Sequence, residues 1–458
     1  MHQLTGSIVK YPARASFGWY SALILLGAFV LRSPVCHGDP ERGVSFLDAL
    51  FTSTSAACVT GLAVRSTEHD FSFFGQVVIL ALIQLGGIGI MTVTTFFVFR
   101  FGGRQGLRAR LVLAETLGAD GKTNLGWILS HVIRLTLLIE GAGFIVLFLR
   151  NLVDQPVLPA AWHALFHSVS AFCNAGFALH DDSLSGYAGD VVVNVVIGVL
   201  IVLGGIGFPI ILDVMRNWKL PFREWWDHYT LHTKLMLIGT TSLLVLGCVA
   251  FLILEWDGIL APLPLWQRPI VAMFHSISCR TAGFNTVEIG ELTNAMLFVS
   301  IILMAIGAGP CSTAGGFKVS TIMVLVLQAW ATFRGKTSLN LFRRTIPQAT
   351  VDRAIATAML FGVVAIVALT SLLVIEQSGK IEESTRAEFL EGLFEVVSAL
   401  GTVGLSTGIT SKLGVVGRLI LILLMFLGRL GPISVFVALS RGAATSPIMY
   451  PDEEPMVG

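Results

Sequence analysis

The sequence predicts an all-α integral membrane protein in which four pseudo-symmetric units surround one pore. Each unit is a membrane helix, a re-entrant pore loop and a second membrane helix, giving eight transmembrane helices plus four re-entrant pore helices. Three observations predict this. Only 13% of the residues are charged while 54% are hydrophobic, whereas a soluble domain carries about 25% charged residues. The apolar stretches come in two lengths, one sufficient to cross a bilayer and one not. A pair of glycine landmarks recurs four times in register.

A crossing helix needs about 20 mostly apolar residues. Eight stretches supply them, near 17–33, 71–99, 126–150, 190–215, 234–254, 292–329, 353–375 and 413–440. Within each pair lies a stretch too short to cross, at 44–58, 160–173, 265–279 and 388–400. Half-helices that enter and leave on one side fit that length. Eight crossings put both termini on the same side, and the basic residues say which. The tails and the loops 100–125, 216–234 and 330–353 hold 17 of the 30 Lys and Arg, against 10 on the opposite face; Arg134, Lys318 and Arg429 fall inside spans. The excess marks the cytoplasmic side of a cell membrane, so the termini are expected there and the half-helices enter from outside.

Residues 17–31 read as a retained helix, because no small-x-small cleavage site leads into a polar mature start. The six cysteines stand singly, without zinc or disulfide spacing. A balance of 30 basic against 29 acidic residues points to no nucleic-acid partner, and membrane lipids are the expected surroundings.

The repeat carries the chemistry. Each short stretch reads Phe-x-x-x-Ser and runs into a glycine followed by a large apolar residue: Phe51 to Gly61, Phe166 to Gly176, Phe274 to Gly283 and Phe394 to Gly404. The span is ten residues in three copies and nine in the third, which has lost one residue. A second landmark follows each, as Leu85-Gly-Gly-Ile-Gly89, Leu203-Gly-Gly-Ile-Gly207, Ile306-Gly-Ala-Gly309 and Leu427-Gly-Arg-Leu-Gly431. The units are accordingly bounded at 1–100, 101–216, 217–335 and 336–458.

A cation stripped of water inside a membrane needs oxygen ligands, and rings of backbone carbonyls from symmetric loops supply them. Glycine permits the backbone conformation that turns a carbonyl inward, and each half-helix aims its partly negative C-terminus at the same point. The candidate cation-binding strands are therefore Val59, Thr60 and Gly61; Asn174, Ala175 and Gly176; Thr281, Ala282 and Gly283; and Thr402, Val403 and Gly404. The Gly-x-x-Gly pairs of the second landmark read first as close-packing faces of membrane helices, and the serines as local hydrogen-bonders.

The stretch 292–329 is long for one span and broken in the middle. Residues 305–318 crowd Gly307, Gly309, Pro310, Ser312, Thr313, Gly315, Gly316 and Lys318 into membrane depth, which a lipid-facing helix does not tolerate. The loop is expected beneath the filter as a gate, its alternative being a helix kink. The other three copies show no such insertion. Arg429 takes the place held by Gly87 and Gly205 in the earlier copies. A charge at that depth faces a cavity or a partner, so it either repels cations below the filter or holds the gate loop by its carbonyls, a purely structural pairing being the alternative.

Other polar residues read more blandly. Glu140 is expected to pair with Arg134 or a helix N-terminus, Arg280 to brace the third strand or tune the mouth, and His163, His167 and His275 to pack.

The motifs Ala56-Ala-Cys-Val-Thr-Gly-Leu62, Arg280-Thr-Ala-Gly-Phe284 and Gly401-Thr-Val-Gly-Leu405 resemble those of the potassium transporter superfamily that includes KtrB, TrkH and the plant HKT proteins. The resemblance covers nearly the whole chain. One helix before the first half-helix, rather than three, favours the KtrB branch, the membrane subunit of Ktr potassium uptake systems. The resemblance implies K+ as the transported ion, with Gly61, Gly176, Gly283 and Gly404 in the selectivity filter. A serine at the first of these positions accompanies sodium transport in the family, and four glycines accompany potassium selectivity. It further implies an intramembrane gate loop, an arginine at the place of Arg429, a homodimer, a cytosolic ring of nucleotide-binding subunits resembling KtrA, and Na+ as an activator.

The chain has no GxxxxGK[ST] phosphate loop, so no nucleotide site of its own is expected. The membrane potential, about 2.3 kcal/mol per charge per 100 mV, suffices to drive uptake. A sodium-permeable channel or Na+/K+ symporter on the same scaffold is the alternative. A membrane-embedded enzyme would need nucleophile, base or metal constellations that do not assemble.

Overall fold

Apolar runs bounded by capping residues become helices whose outer faces stay apolar, as a bilayer requires. The computed structural model describes residues 12–39, 43–101, 125–218, 220–336, 338–376 and 382–431. The tails, the loop 102–124 and the end of the 413–440 span lie outside the described residues.

The first unit comprises α1 (Pro12–Leu31), α2 (Phe46–Ala57) and α3 (Phe73–Phe101). The second comprises α4 (Leu125–Asn151), α5 (Val157–Phe172), α6 (Val191–Ile206) and α7 (Phe208–Asn217). After the short α8 (Phe222–His228) come α9 (Leu231–Leu254), α10 (Arg268–Ser278), α11 (Asn294–Ala305) and α12 (Val319–Phe333). A two-stranded hairpin, β1 (Leu339–Leu341) with β2 (Arg344–Ile346), then leads into α13 (Gln348–Glu376), α14 (Glu382–Gly401) and α15 (Val415–Leu430).

Among the described residues three helices are long and apolar enough to cross a membrane alone: Ser130–Asn151, Leu231–Leu254 and Gln348–Glu376. The pair α6 and α7 qualifies together but is bent by 99°. Only 11% of the apolar window of α13 is buried, and Leu137, Leu138, Ile253 and Ile366 stand exposed. Apolar surface this continuous is a lipid-facing surface.

Two of the expected spans are broken, where one break was expected. In the third unit α11 stops at Ala305 and α12 begins at Val319, with the loop between them. In the second unit the break is at Gly207, whose φ of 104° lies in the region open to glycine. Pro209 in the first turn of α7 starts the new helix.

The helices expected to be short have 12, 16 and 11 residues in the first three units, but α14 reaches 20, longer than the expected 388–400. Each packs against the helix before it. In three units a pore-helix serine donates to the preceding helix: Ser53 Oγ to Ile24 O at 2.7 Å, Ser168 Oγ to Glu140 O at 2.7 Å and Ser276 Oγ to Leu244 O at 2.9 Å. Gly27, Gly143 and Gly247, one turn on from each acceptor, leave room for the hydroxyl. The fourth unit has Val396 at that place and relies on apolar packing.

The first and fourth units are joined through Asp48, which is 3% exposed on α2. Its carboxylate accepts from Arg65 Nη2 at 2.9 Å and from Arg418 Nη1 at 2.7 Å. Replacing Asp48 with Asn leaves two half-buried guanidiniums facing each other without their counter-charge. The expected loss is about 1–3 kcal/mol, below the fully buried case because both arginines touch water. A Tm in detergent equal to that of the unaltered protein would show that Asp48 does not tie the units.

A candidate cation filter closed from one side

The four glycine loops meet in one ring. Val59, Asn174, Thr281 and Thr402 all have positive φ (56°, 59°, 65° and 50°), as do Gly61, Gly176, Gly283 and Gly404 (96°, 69°, 78° and 95°). The four strands thus share one backbone conformation, with a left-handed residue two places before each left-handed glycine. The missing residue of the third copy falls between Ser278 and Thr281, upstream of the strand, so the strand itself keeps register.

The contacts that a Cβ would make show how the ring closes. At Gly61 it would meet Ala175 O at 2.6 Å, at Gly176 Ala282 O at 2.8 Å, and at Gly283 Val403 O at 2.5 Å; at Gly404 it would overlap Thr60 O. Each glycine therefore faces the carbonyl of the next strand, in the cyclic order first, second, third, fourth, first. Four carbonyls, of Thr60, Ala175, Ala282 and Val403, form one level of this ring.

The serine ending each Phe-x-x-x-Ser landmark holds the strand's curvature. Gly61 N donates to Ser55 Oγ at 3.0 Å and Gly404 N to Ser398 Oγ at 3.1 Å. Ser170 Oγ donates to Phe177 O and Ser398 Oγ to Leu405 O, both at 2.7 Å, and Ser278 Oγ donates to Phe284 O. These serines are the local hydrogen-bonders that the sequence predicts, and their fourfold register with the glycines is the signal that ties them to the strands. Cys58, Cys173 and Cys279 are buried, unpaired thiols where α2, α5 and α10 end.

Above the ring opens a cavity of about 230 Å³ whose floor is the four glycines. Asp181, Asp182 and Glu288 line it with one arginine, Arg65. Such a mouth raises the local concentration of cations. Loops of different units are tied around it: Leu184 N donates to Asn285 O at 3.0 Å, and Ser66 Oγ donates to Asp181.

Beneath the ring lies the 305–318 loop. Gly307, Gly309, Ser312, Thr313 and Gly315 are buried, and Gly316 and Lys318 are half-buried. The loop touches three of the four first strand residues. Thr313 Oγ1 lies 3.1 Å from both Phe172 O and the Asn174 carboxamide. A Cβ on Gly307 would lie 3.4 Å from Thr281 Cγ2, and one on Gly315 would run into the side chain of Thr402. The loop is stitched to the broken second unit: Gly309 N donates to Gly205 O at 2.8 Å, Thr313 N to Gly204 O at 3.2 Å and Phe208 N to Cys311 O at 3.2 Å.

Three cationic side chains bond its carbonyls, one of them from the loop itself. Lys318 Nζ donates to Ala314 O at 2.8 Å and Gly315 O at 2.9 Å. Arg429, 3% exposed, donates to Thr313 O through Nη1 and to Gly86 O at 2.7 Å through Nη2. Arg280 reaches Thr240 O at 3.3 Å and Gly307 O at 3.5 Å, bracing the loop rather than reaching the mouth.

One of the remaining readings changes and one holds. Glu140 pairs with Gln84 Nε2 at 3.0 Å rather than with Arg134. His163 and His167 are joined by His180 in a packed trio, with ring centroids 5.0 and 5.8 Å from that of His180.

Known proteins resemble this chain over nearly its whole length. The family model of TrkH, a cation transport protein, matches residues 28–444. "Ktr system potassium uptake protein B" of Vibrio alginolyticus is 36% identical over 442 residues, covering 96% of this chain and 93% of that protein. The protein of the same name from Bacillus subtilis (strain 168) is 36% identical over 449 residues, covering 98% and 96%. "Potassium/sodium uptake protein NtpJ" of Enterococcus hirae is 34% identical over 450 residues, covering 98% and 97%. The crystal structure of the potassium transporter TrkH from Vibrio parahaemolyticus superposes with a TM-score of 0.70 at 18% identity, over 92% of this chain and 83% of that one, a likeness of fold. With the family model spanning most of its length, the chain belongs to the TrkH family of cation transport proteins.

Proposed function

We propose that the chain takes up K+ through a gated, K+-selective pore. The observation that carries this is the ring of carbonyls of Thr60, Ala175, Ala282 and Val403, each set against the glycine of a neighbouring strand. Four carbonyls in one ring can replace the hydration shell of a cation, and the acidic mouth gathers it. Val59, Asn174, Thr281 and Thr402 begin the filter, and the half-helix C-termini favour a positive ion at its inner end.

The scaffold on this reading is four units, 1–100, 101–216, 217–335 and 336–458, with eight crossings and both termini in the cytoplasm of a cell whose plasma membrane holds the protein. The gate is the 305–318 loop, through Gly307, Gly309, Ser312, Thr313, Gly315, Gly316 and Lys318, with Arg429 as its tether. The names of its relatives, which speak of a Ktr system, support a partner subunit; on this reading it is a cytosolic KtrA-like nucleotide-binding ring acting on a homodimer. Na+ serves as activator, and no nucleotide binds this chain itself.

Expression together with a Ktr-type regulatory subunit should restore growth of a K+-uptake-deficient bacterium on low-potassium medium. No rescue with any such subunit, despite protein in the membrane, would sink the reading. The sodium-permeable alternative, supported by the potassium/sodium name of the Enterococcus relative, predicts tracer Na+ uptake that K+ does not suppress.

A further inference from the structure

On the side of the 305–318 loop away from the filter, the helices leave a cavity of about 590 Å³. The first turns of α9, α12 and α13 and the strand β2 enclose it. Its floor is apolar, formed by Leu235, Val324 and Ile346, which belong to one buried cluster. Its rim carries Arg344, Arg353 and the hydroxyls of Ser320, Thr321 and Thr350. Pro310, from the loop itself, forms part of the wall.

The lining holds two guanidiniums and no carboxylate. Among the described residues neither arginine is in an ion pair, and Arg353 spends only its Nε, on Ala349 O at 3.0 Å. Acidic groups on neighbouring turns are already engaged. Asp213 accepts from Thr230 N at 3.0 Å and Thr233 Oγ1 at 2.6 Å, and Asp352 from Gln348 Nε2 at 3.1 Å. Three helix N-termini bordering one cavity add partial positive charge. The guanidinium fork matches a phosphate by two parallel hydrogen bonds. The hydroxyls supply further donors, and the apolar floor suits a hydrocarbon rather than a wholly polar anion.

We propose that this cavity binds a phosphate-bearing amphiphile, an anionic phospholipid of the adjoining leaflet, and that its occupancy bears on the 305–318 loop through Pro310. The headgroup phosphate sits between Arg344 and Arg353, and the first acyl carbons lie along Leu235 and Val324. The binding stands apart from the transport reading; only the effect on the loop rests on it.

Both arginines are exposed, so Arg344→Gln/Arg353→Gln removes the charge without opening the core. Arg343→Gln/Lys336→Gln removes equal charge at residues that do not line the cavity. The purified full chain is titrated with phosphatidylglycerol and with phosphatidylcholine, and retained lipid is read by native mass spectrometry. The unaltered protein and the Arg343/Lys336 variant should hold phosphatidylglycerol at least about tenfold more tightly than phosphatidylcholine, a difference of about 1.4 kcal/mol. The Arg344/Arg353 variant should lose that preference. Equal preference in all three proteins overturns the site. Inorganic phosphate that raises the Tm of the unaltered protein, with no lipid preference, overturns the lipid assignment in favour of a soluble phosphate compound. In vesicles, tracer flux should depend on phosphatidylglycerol content in the unaltered protein and not in the Arg344/Arg353 variant. Lipid binding without any such dependence overturns the coupling to the loop.

Discussion

Replacing Gly283 with Ala is expected to lower K+ flux at least about tenfold, roughly 1.4 kcal/mol or more at the barrier, in a chain that still folds. Gly283 has φ 78°, where a side chain costs about 1–2 kcal/mol. Its Cβ would stand 2.5 Å from Val403 O, 3.1 Å from Gly176 Cα and 3.2 Å from Gly404 Cα. All three neighbours are backbone, so none can swing aside as a flexible side chain would. Val403 O must retreat or the strand must rotate, and either removes one of the four carbonyls that the proposed filter relies on. Discrimination against Na+ should fall with the flux, because the ion no longer finds a complete shell. Gly362→Ala serves as the control. It lies within α13 with nothing inside 4 Å of an added Cβ, and alanine favours a helix. Uptake of a rubidium tracer into vesicles, normalised to the monodisperse protein fraction, reads the result. Flux and selectivity in Gly283→Ala equal to those of the control would mean that the ring is not the filter.

The ring of four glycine loops was legible because its physics repeats. A left-handed backbone position selects glycine, and four copies in register separate that demand from chance. The left-handed residues before them were not legible as such: a β-branched Val59 at φ 56° contradicts local preference, and the turn of the pore-helix C-terminus imposes it. The second break shows the limit more sharply. Leu-Gly-Gly-Ile-Gly occurs identically at 85–89 and 203–207, yet α3 runs straight through Gly89 while α6 ends at Gly207. Pro209 after the second copy was a clue. The deciding contacts come from the third unit, whose loop bonds Gly204 O, Gly205 O and Phe208 N across about 100 residues of chain. Glu140 failed for a related reason, its partner Gln84 lying in a different unit. Within-repeat chemistry reads from sequence; between-repeat chemistry needs the packing.

That between-repeat packing sets the largest expected gain of flux. Replacing Arg429 with Ala should raise the K+ flux of the chain reconstituted by itself about tenfold or more, and deleting residues 308–316 should raise it further. Arg429 joins the loop of the third unit, at Thr313 O, to the second helix of the first, at Gly86 O. Gly86 O is also held by Tyr20 Oη at 2.8 Å, so one end of the tether is fixed. Hydrogen bonds from a charged donor contribute about 1.5–3 kcal/mol each. Losing the bond to Thr313 alone is therefore enough to shift a closed loop toward open by the factor expected. Charge repulsion would also close a pore, and Arg429→Lys separates the two. A lysine keeps the positive charge but, as a single ammonium, cannot span both carbonyls as the planar fork does. If Arg429 tethers the loop, Lys raises flux nearly as Ala does; if it repels ions, Lys keeps flux low. A fall in Tm with flux unchanged in both variants would make Arg429 structural, leaving the loop to be held by Lys318 and by its bonds to Gly204 and Gly205. In that case the deletion alone should still open the pore, because it removes the segment in contact with Asn174 and Thr402 whatever holds it there.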